Sequence, residues 1–143
     1  PHYKAGRHNA SAETIYRLVS RVQDLADDNS LPIQIYSGNE VLFYSEVEDA
    51  LAKHKICTLN ETEYVLVEFS PKDSYTYIRN ALDSILGMGY QPIIAHVERY
   101  ECMVKHPEFA AHLLPLLSVI IIFQVFKPIQ NISHRAFLPN APM

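Results

Sequence analysis

The sequence predicts an α/β fold in which parallel strands alternate with helices, and three observations carry that expectation. Short continuous apolar runs, "EYVLVEFS" at 63–70, "QPIIAH" at 91–96 and "SVIIIFQVF" at 118–126, read as strands buried on both faces. Stretches with apolar residues at helical spacing separate them. Glycine, proline and Asp/Asn/Ser clusters punctuate the junctions. Three or four such βα units make half of a (β/α) barrel or a small open sheet. In either, chemistry gathers at the carboxyl ends of the strands.

The elements follow in order. Ile15, Leu18, Val19, Val22, Leu25 and Ala26 form a 3.6-residue stripe from Ser11 to about Asp28. Ser11 is placed to cap this helix, and Glu13 suits its first turn. Asp27 to Ser30 stop it, and Pro32 blocks its resumption. "IQIYSGNEVLFY" at 33–44 reads as a strand, a break at Gly38 and a second extended piece. A short helix is expected from Ser45 to about Lys53, then the strand ending at Glu68, then a helix from Ser74 to Leu86 with Ile78, Leu82 and Ile85 inward. Gly87 and Gly89 mark that helix's exit. After the strand ending at His96, helical pieces are expected at 100–106 and 107–117, followed by the last apolar strand. One domain is expected over residues 1–126, with an irregular tail over 127–143.

Composition narrows the function. Apolar residues make up 48% of the 143, enough to build a core, and a net charge of −4 with no basic stripe argues against a nucleic-acid partner. Cys57 and Cys102 lie far apart without CxxC spacing, so a reducing, cytoplasmic setting is expected. No signal peptide is read at the amino end, and the apolar stretch 113–126 is too short for a membrane span, which needs about 20 residues. An opening at Pro1 suggests a piece of something longer. The apolar strand 119–126 could be core or an exposed edge, and an edge would offer a dimer seam.

Candidate chemistry lies where strands end. His2 and His8 fall in the opening loop, Glu40 follows Gly38, Glu68 ends one strand and His96 another. Carboxylates and imidazoles so placed suit a hydrolytic centre for divalent ions. A bland reading stands beside this: such residues singly are more often solvated or hydrogen-bonded. Arg99, three residues past His96, suits a phosphate through its planar fork, or pairs with Glu98 or Glu101 at the surface. His54, His106, His112 and His134 have no such placement. Cysteine-based phosphatase chemistry is excluded because the positions six residues beyond Cys57 and Cys102 are Glu63 and Glu108, not arginine. No GxSxG, GxxxxGK[ST] or GxGxxG motif occurs.

"TLNETEYVLVEFS" (58–70) and "GYQPIIAHVERY" (89–100) resemble the manganese-dependent bacterial tyrosine phosphatases of the PHP (polymerase and histidinol phosphatase) superfamily, encoded with capsule and exopolysaccharide systems. "PHYKAGR" and "IYSGNEVLFYSEVEDAL" fit in the same order, and the resemblance covers about residues 1–126. It implies a distorted TIM-like β/α barrel with metal ions, manganese being expected. Implied metal ligands are His2, Glu40 (bridging two ions), Glu68 and His96, with Arg99 at the substrate phosphate. The implied reaction is attack of a metal-activated hydroxide on phosphotyrosine of a bacterial tyrosine autokinase. The family's opening HxH and its late Asp-x-His have no counterpart here, so the chain is expected to be truncated at both ends and to hold part of the ligand set. Two alternatives stand beside this reading. One is a non-catalytic domain that keeps a binding role, the other a PHP phosphatase for a small phosphate monoester such as histidinol phosphate.

Overall fold

A computed structural model describes residues 1–113, 116 and 119–121. Five parallel strands form one sheet in the order β1-β2-β3-β4-β5: His2–Lys4, Glu40–Leu42, Tyr64–Glu68, Gln91–Ala95 and Val119–Ile121. Each strand therefore pairs with its successor in sequence. The sheet is open, and a closed barrel is not formed among the described residues. Helices α1 (Ala12–Asp28), α2 (Val47–Ala52), α3 (Tyr75–Gly87), α4 (Glu101–Lys105) and α5 (Pro107–Leu113) connect the strands.

Local chemistry accounts for the long helices. Ser11 has extended backbone and its hydroxyl accepts from Thr14 N at 3.2 Å, which satisfies one of the unpaired amides at the start of α1. Ser74 does the same for Tyr77 N at the start of α3. Beyond α3, Gly89 turns left-handed (φ +87°), and Tyr90 N returns to Ile85 O, closing the helix before β4.

Burial alternates along β2 and β3: Val41, Val65 and Val67 are buried while Glu40, Leu42, Tyr64, Leu66 and Glu68 are half-buried. The buried set packs with Val47, Leu51, Ile78, Leu82, Ile85 and Tyr100 into the core. One face of the sheet thus meets the helices and the other carries His2, Glu40 and Glu68. This corrects the expectation of strands buried on both faces. Among the strands whose burial is described, only β4, with Pro92 to Ala95 all buried, reads as a doubly covered strand.

Three further expectations change. "IQIY" is not a strand, because Gln23 of α1 holds it instead of a neighbouring strand. Its side-chain oxygen accepts from Ile35 N at 2.9 Å and its amide donates to Ile33 O at 3.1 Å. The strand begins after Gly38, at Glu40. His2 lies on β1, not in a loop. The stripe of α1 is only partly covered: Ile15 and Ala26 are buried, whereas Leu18, Val22 and Leu25 are 49%, 49% and 61% exposed. Of the helical piece expected over 107–117, α5 is described over Pro107–Leu113, and residues 114, 115 and 117 lie outside the described residues. The expected tail, 127–143, lies outside the described residues. Among the described residues no helix is long and apolar enough to cross a membrane.

Candidate metal centre

Register builds the site. His2 of β1 is directly opposite Glu40 of β2, and Leu42 of β2 is opposite Glu68 of β3. Paired positions in a parallel sheet face the same way, and residues two apart on a strand share a face. His2, Glu40 and Glu68 must therefore all project from the face away from the helices. Their ligand atoms lie within 4.8 Å of one another.

Glu40 is the hub. One of its carboxylate oxygens is 3.6 Å from His2 Nε2 and the other 3.0 Å from His96 Nε2. His2 in turn reaches Glu68 through Nδ1 at 3.5 Å. The sequence of contacts is Glu68–His2–Glu40–His96. Glu40, Glu68 and His96 are mostly shielded, whereas the His2 side chain is 73% exposed.

Asn39, buried next to Glu40, fixes the first pair. Its side-chain amide donates to Pro1 O at 3.0 Å, and its side-chain oxygen accepts from Cys57 N at 2.8 Å. Glu40 N also donates to Pro1 O, at 3.0 Å. The residue before His2 and the residue before Glu40 are thereby joined. At the other end, His96 leaves β4 with a left-handed backbone, φ +55°. For a side-chain-bearing residue this conformation costs roughly 1–3 kcal/mol. It ends the strand and turns the imidazole to Glu40. Tyr100, nearly inaccessible, donates its hydroxyl to Ala95 O and accepts from Phe69 N at 3.1 Å. Burial pushes its phenol pKa well above the ordinary value.

The donor set fits a divalent ion. Donors bound at about 2.0–2.2 Å to one ion are spaced about 3–4 Å apart, which is the range of the contacts here. Imidazole nitrogen with carboxylate oxygen suits manganese, iron or zinc. His8, also singled out in the sequence, is exposed in the β1–α1 loop and outside the cluster. Arg99 is half-exposed with its Nε 3.9 Å from Glu98, the surface pairing foreseen as its alternative.

Residues 1–125 match the family model "Capsular polysaccharide synthesis, CpsB/CapC". The chain belongs to this family. Among CpsB/CapC relatives, the tyrosine-protein phosphatase CpsB of Streptococcus pneumoniae is 30% identical over 129 residues, covering 89% of this chain and 53% of the relative. The tyrosine-protein phosphatase YwqE of Bacillus subtilis is 28% identical over 114 residues, 80% of this chain and 45% of YwqE. A chain from the crystal structures of YwqE and S. pneumoniae CpsB, described as unique metal-dependent tyrosine phosphatases, superposes with a TM-score of 0.74 at 27% identity. That match covers 85% of this chain and 49% of the solved one. The chain spans about half the length of the curated relatives it matches.

Two supporting residues of this CpsB/CapC chain escaped the sequence reading. Asn39 carried a signal, a polar residue between Gly38 and a strand. Tyr100 carried less, since an aromatic residue opening a short helix reads as ordinary core.

Proposed function

We propose that this chain is the metal-binding part of a phosphoesterase that hydrolyses phosphotyrosine, its substrate being a bacterial tyrosine autokinase of capsule or exopolysaccharide synthesis in the cytoplasm. The single observation that carries the reading is the convergence of His2, Glu40 and Glu68 within 4.8 Å, with Glu40 shared between two imidazoles. On this reading His2, Glu40, Glu68 and His96 hold the metal, and manganese is the ion we infer. Residues 1–126 then form part of a PHP-type β/α barrel, of which the open sheet is one arc.

A divalent ion at such a centre lowers the pKa of water and offsets charge on phosphoryl oxygens. The chain's own groups do the rest. Glu40 and Glu68 supply negative charge that holds the cation. His96, kept in place by its left-handed turn, presents Nε2 from the floor of the site. On this reading Arg99, three residues past His96 and now 3.9 Å from Glu98, offers its paired N–H groups to phosphate oxygens. A phenolate leaving group, with a pKa of about 10, departs more readily than an alkoxide, which favours an aryl phosphate.

The test pairs manganese binding by calorimetry with manganese-stimulated release of phosphate from a phosphotyrosine peptide and from histidinol phosphate. The expected result is binding that Glu40→Gln abolishes and hydrolysis confined to the peptide. Binding unaffected by Glu40→Gln would refute the site, and preference for histidinol phosphate would refute the substrate class.

A further inference from the structure

Glu68 and His96 come from adjacent strands, yet the pairing of those strands does not reach them. The ladder between β3 and β4 ends at Val67 opposite Ile94, one residue before Glu68 and two before His96. Glu68 is held from its other side, where it is opposite Leu42 and its carbonyl accepts from Phe43 N. Something else must hold the start of the His96 turn to β3.

We propose that Tyr100 is a positioning residue that sets the separation of Glu68 and His96, its phenol oxygen clamping the peptide after Glu68 to the peptide before His96. The hydroxyl donates to Ala95 O, whose carbonyl belongs to the peptide bond leading into His96. The same oxygen accepts from Phe69 N, the amide of the peptide bond leaving Glu68, at 3.1 Å. Two backbone groups left over at the end of the ladder are thereby satisfied by one atom. The ring itself cannot wander: it is 1% exposed and stands edge-on to Phe69, with centroids 6.0 Å apart and planes at 83°. Glu101, the next residue, is tied by its N–H to Pro71 O at 2.9 Å, so the ring is anchored to the segment after β3 from two directions. His96 also accepts from Arg99 N at 2.8 Å, which makes 96–100 one closed turn ending on the clamp.

The inference rests on the metal-centre reading above, and the experiment separates the two. The full 143-residue chain and its Tyr100→Phe variant are titrated with cobalt(II), followed by calorimetry and by the visible d–d absorption that reports ligand geometry. Tyr100→Phe is expected to weaken cobalt affinity by about tenfold or more, as loss of a supporting hydrogen bond does around metal ligands, and to change the absorption envelope. A packing control, Ile78→Ala, is expected to lower stability and leave affinity and spectrum unchanged. No cobalt binding by the parent chain would overturn the metal centre and the clamp together. Binding by the parent with an unchanged Tyr100→Phe spectrum and affinity would overturn the clamp alone, as would an equal change in Ile78→Ala. One measurement needs no variant: the Phe69 amide should resist hydrogen exchange as strongly as the β3 ladder amides, and rapid exchange there would also overturn the clamp.

Discussion

Replacing Asn39 with alanine tests how the first two ligands are brought together. The side chain is 3% exposed and makes two hydrogen bonds, to Pro1 O and from Cys57 N. After truncation Pro1 O keeps its bond from Glu40 N, so that loss is modest. Cys57 is itself buried, and its N–H loses the acceptor that Asn39 provided. A buried donor without a partner costs about 1–3 kcal/mol, and a neutral hydrogen bond contributes roughly 0.5–1.5 kcal/mol, so a total near 2–4 kcal/mol is expected. Urea denaturation measures it as a lowered midpoint at constant slope; with a slope of about 1–3 kcal/mol per molar, the midpoint should fall by about 0.7 M or more. Because Asn39 joins the residue before His2 to the residue before Glu40, metal affinity should weaken as well. A loss below about 0.5 kcal/mol, or full stability loss with untouched metal affinity, would refute the claim that Asn39 sets this pair.

Three further outcomes are expected. Arg99→Ala should leave stability within about 0.5 kcal/mol, since the side chain is half-exposed, and metal affinity unchanged, while weakening phosphate or vanadate binding to the loaded centre; a fall in metal affinity by calorimetry would contradict its assignment. Manganese at a hundredfold excess over its dissociation constant should raise unfolding free energy by about 2.7 kcal/mol, reversed by chelator; thermal unfolding with and without EDTA checks this. Burial, with the Cys57 thiol and Glu61 beside it, pushes Tyr16 up to about 12. Its proton is held more tightly in the folded chain, so the stabilisation is full below the unfolded value near 10 and lost as pH rises through 12. Tyr16→Phe should flatten that decline in urea midpoints between pH 9 and 12, and an unchanged slope would refute it.

How much of this was legible in the sequence depends on whether a residue acts through its neighbours in sequence or through space. Ser11 caps its helix as its position foretold, because capping is settled within one turn. The βα alternation was readable because apolar runs and helical periodicity are local signals. "IQIY" misled because Gln23, ten to twelve residues earlier, holds its backbone, and no pattern announces such a bond. The partial exposure of Leu18, Val22 and Leu25 was equally hidden, since periodicity reports an apolar face and not what covers it. Glu68 and His96 could be singled out by residue type and strand position, whereas His2 and Glu40 were singled out by residue type beside misplaced elements, since both open strands. Their mutual distances depended on register, which Asn39 and the turn at His96 help to set and which the sequence does not display.

The strand order has a consequence for how the molecule comes into being. Since every strand lies beside its immediate successor, the long-range pairings are the nearest ones the chain permits, a topology that favours rapid, stepwise assembly. His2, Glu40 and Glu68 all lie on the first three strands, so their set is complete once β3 docks on β2, without β4. On the proposed reading, His96 at the end of β4 is the last ligand to join, and the tyrosine that secures it follows four residues later in the chain.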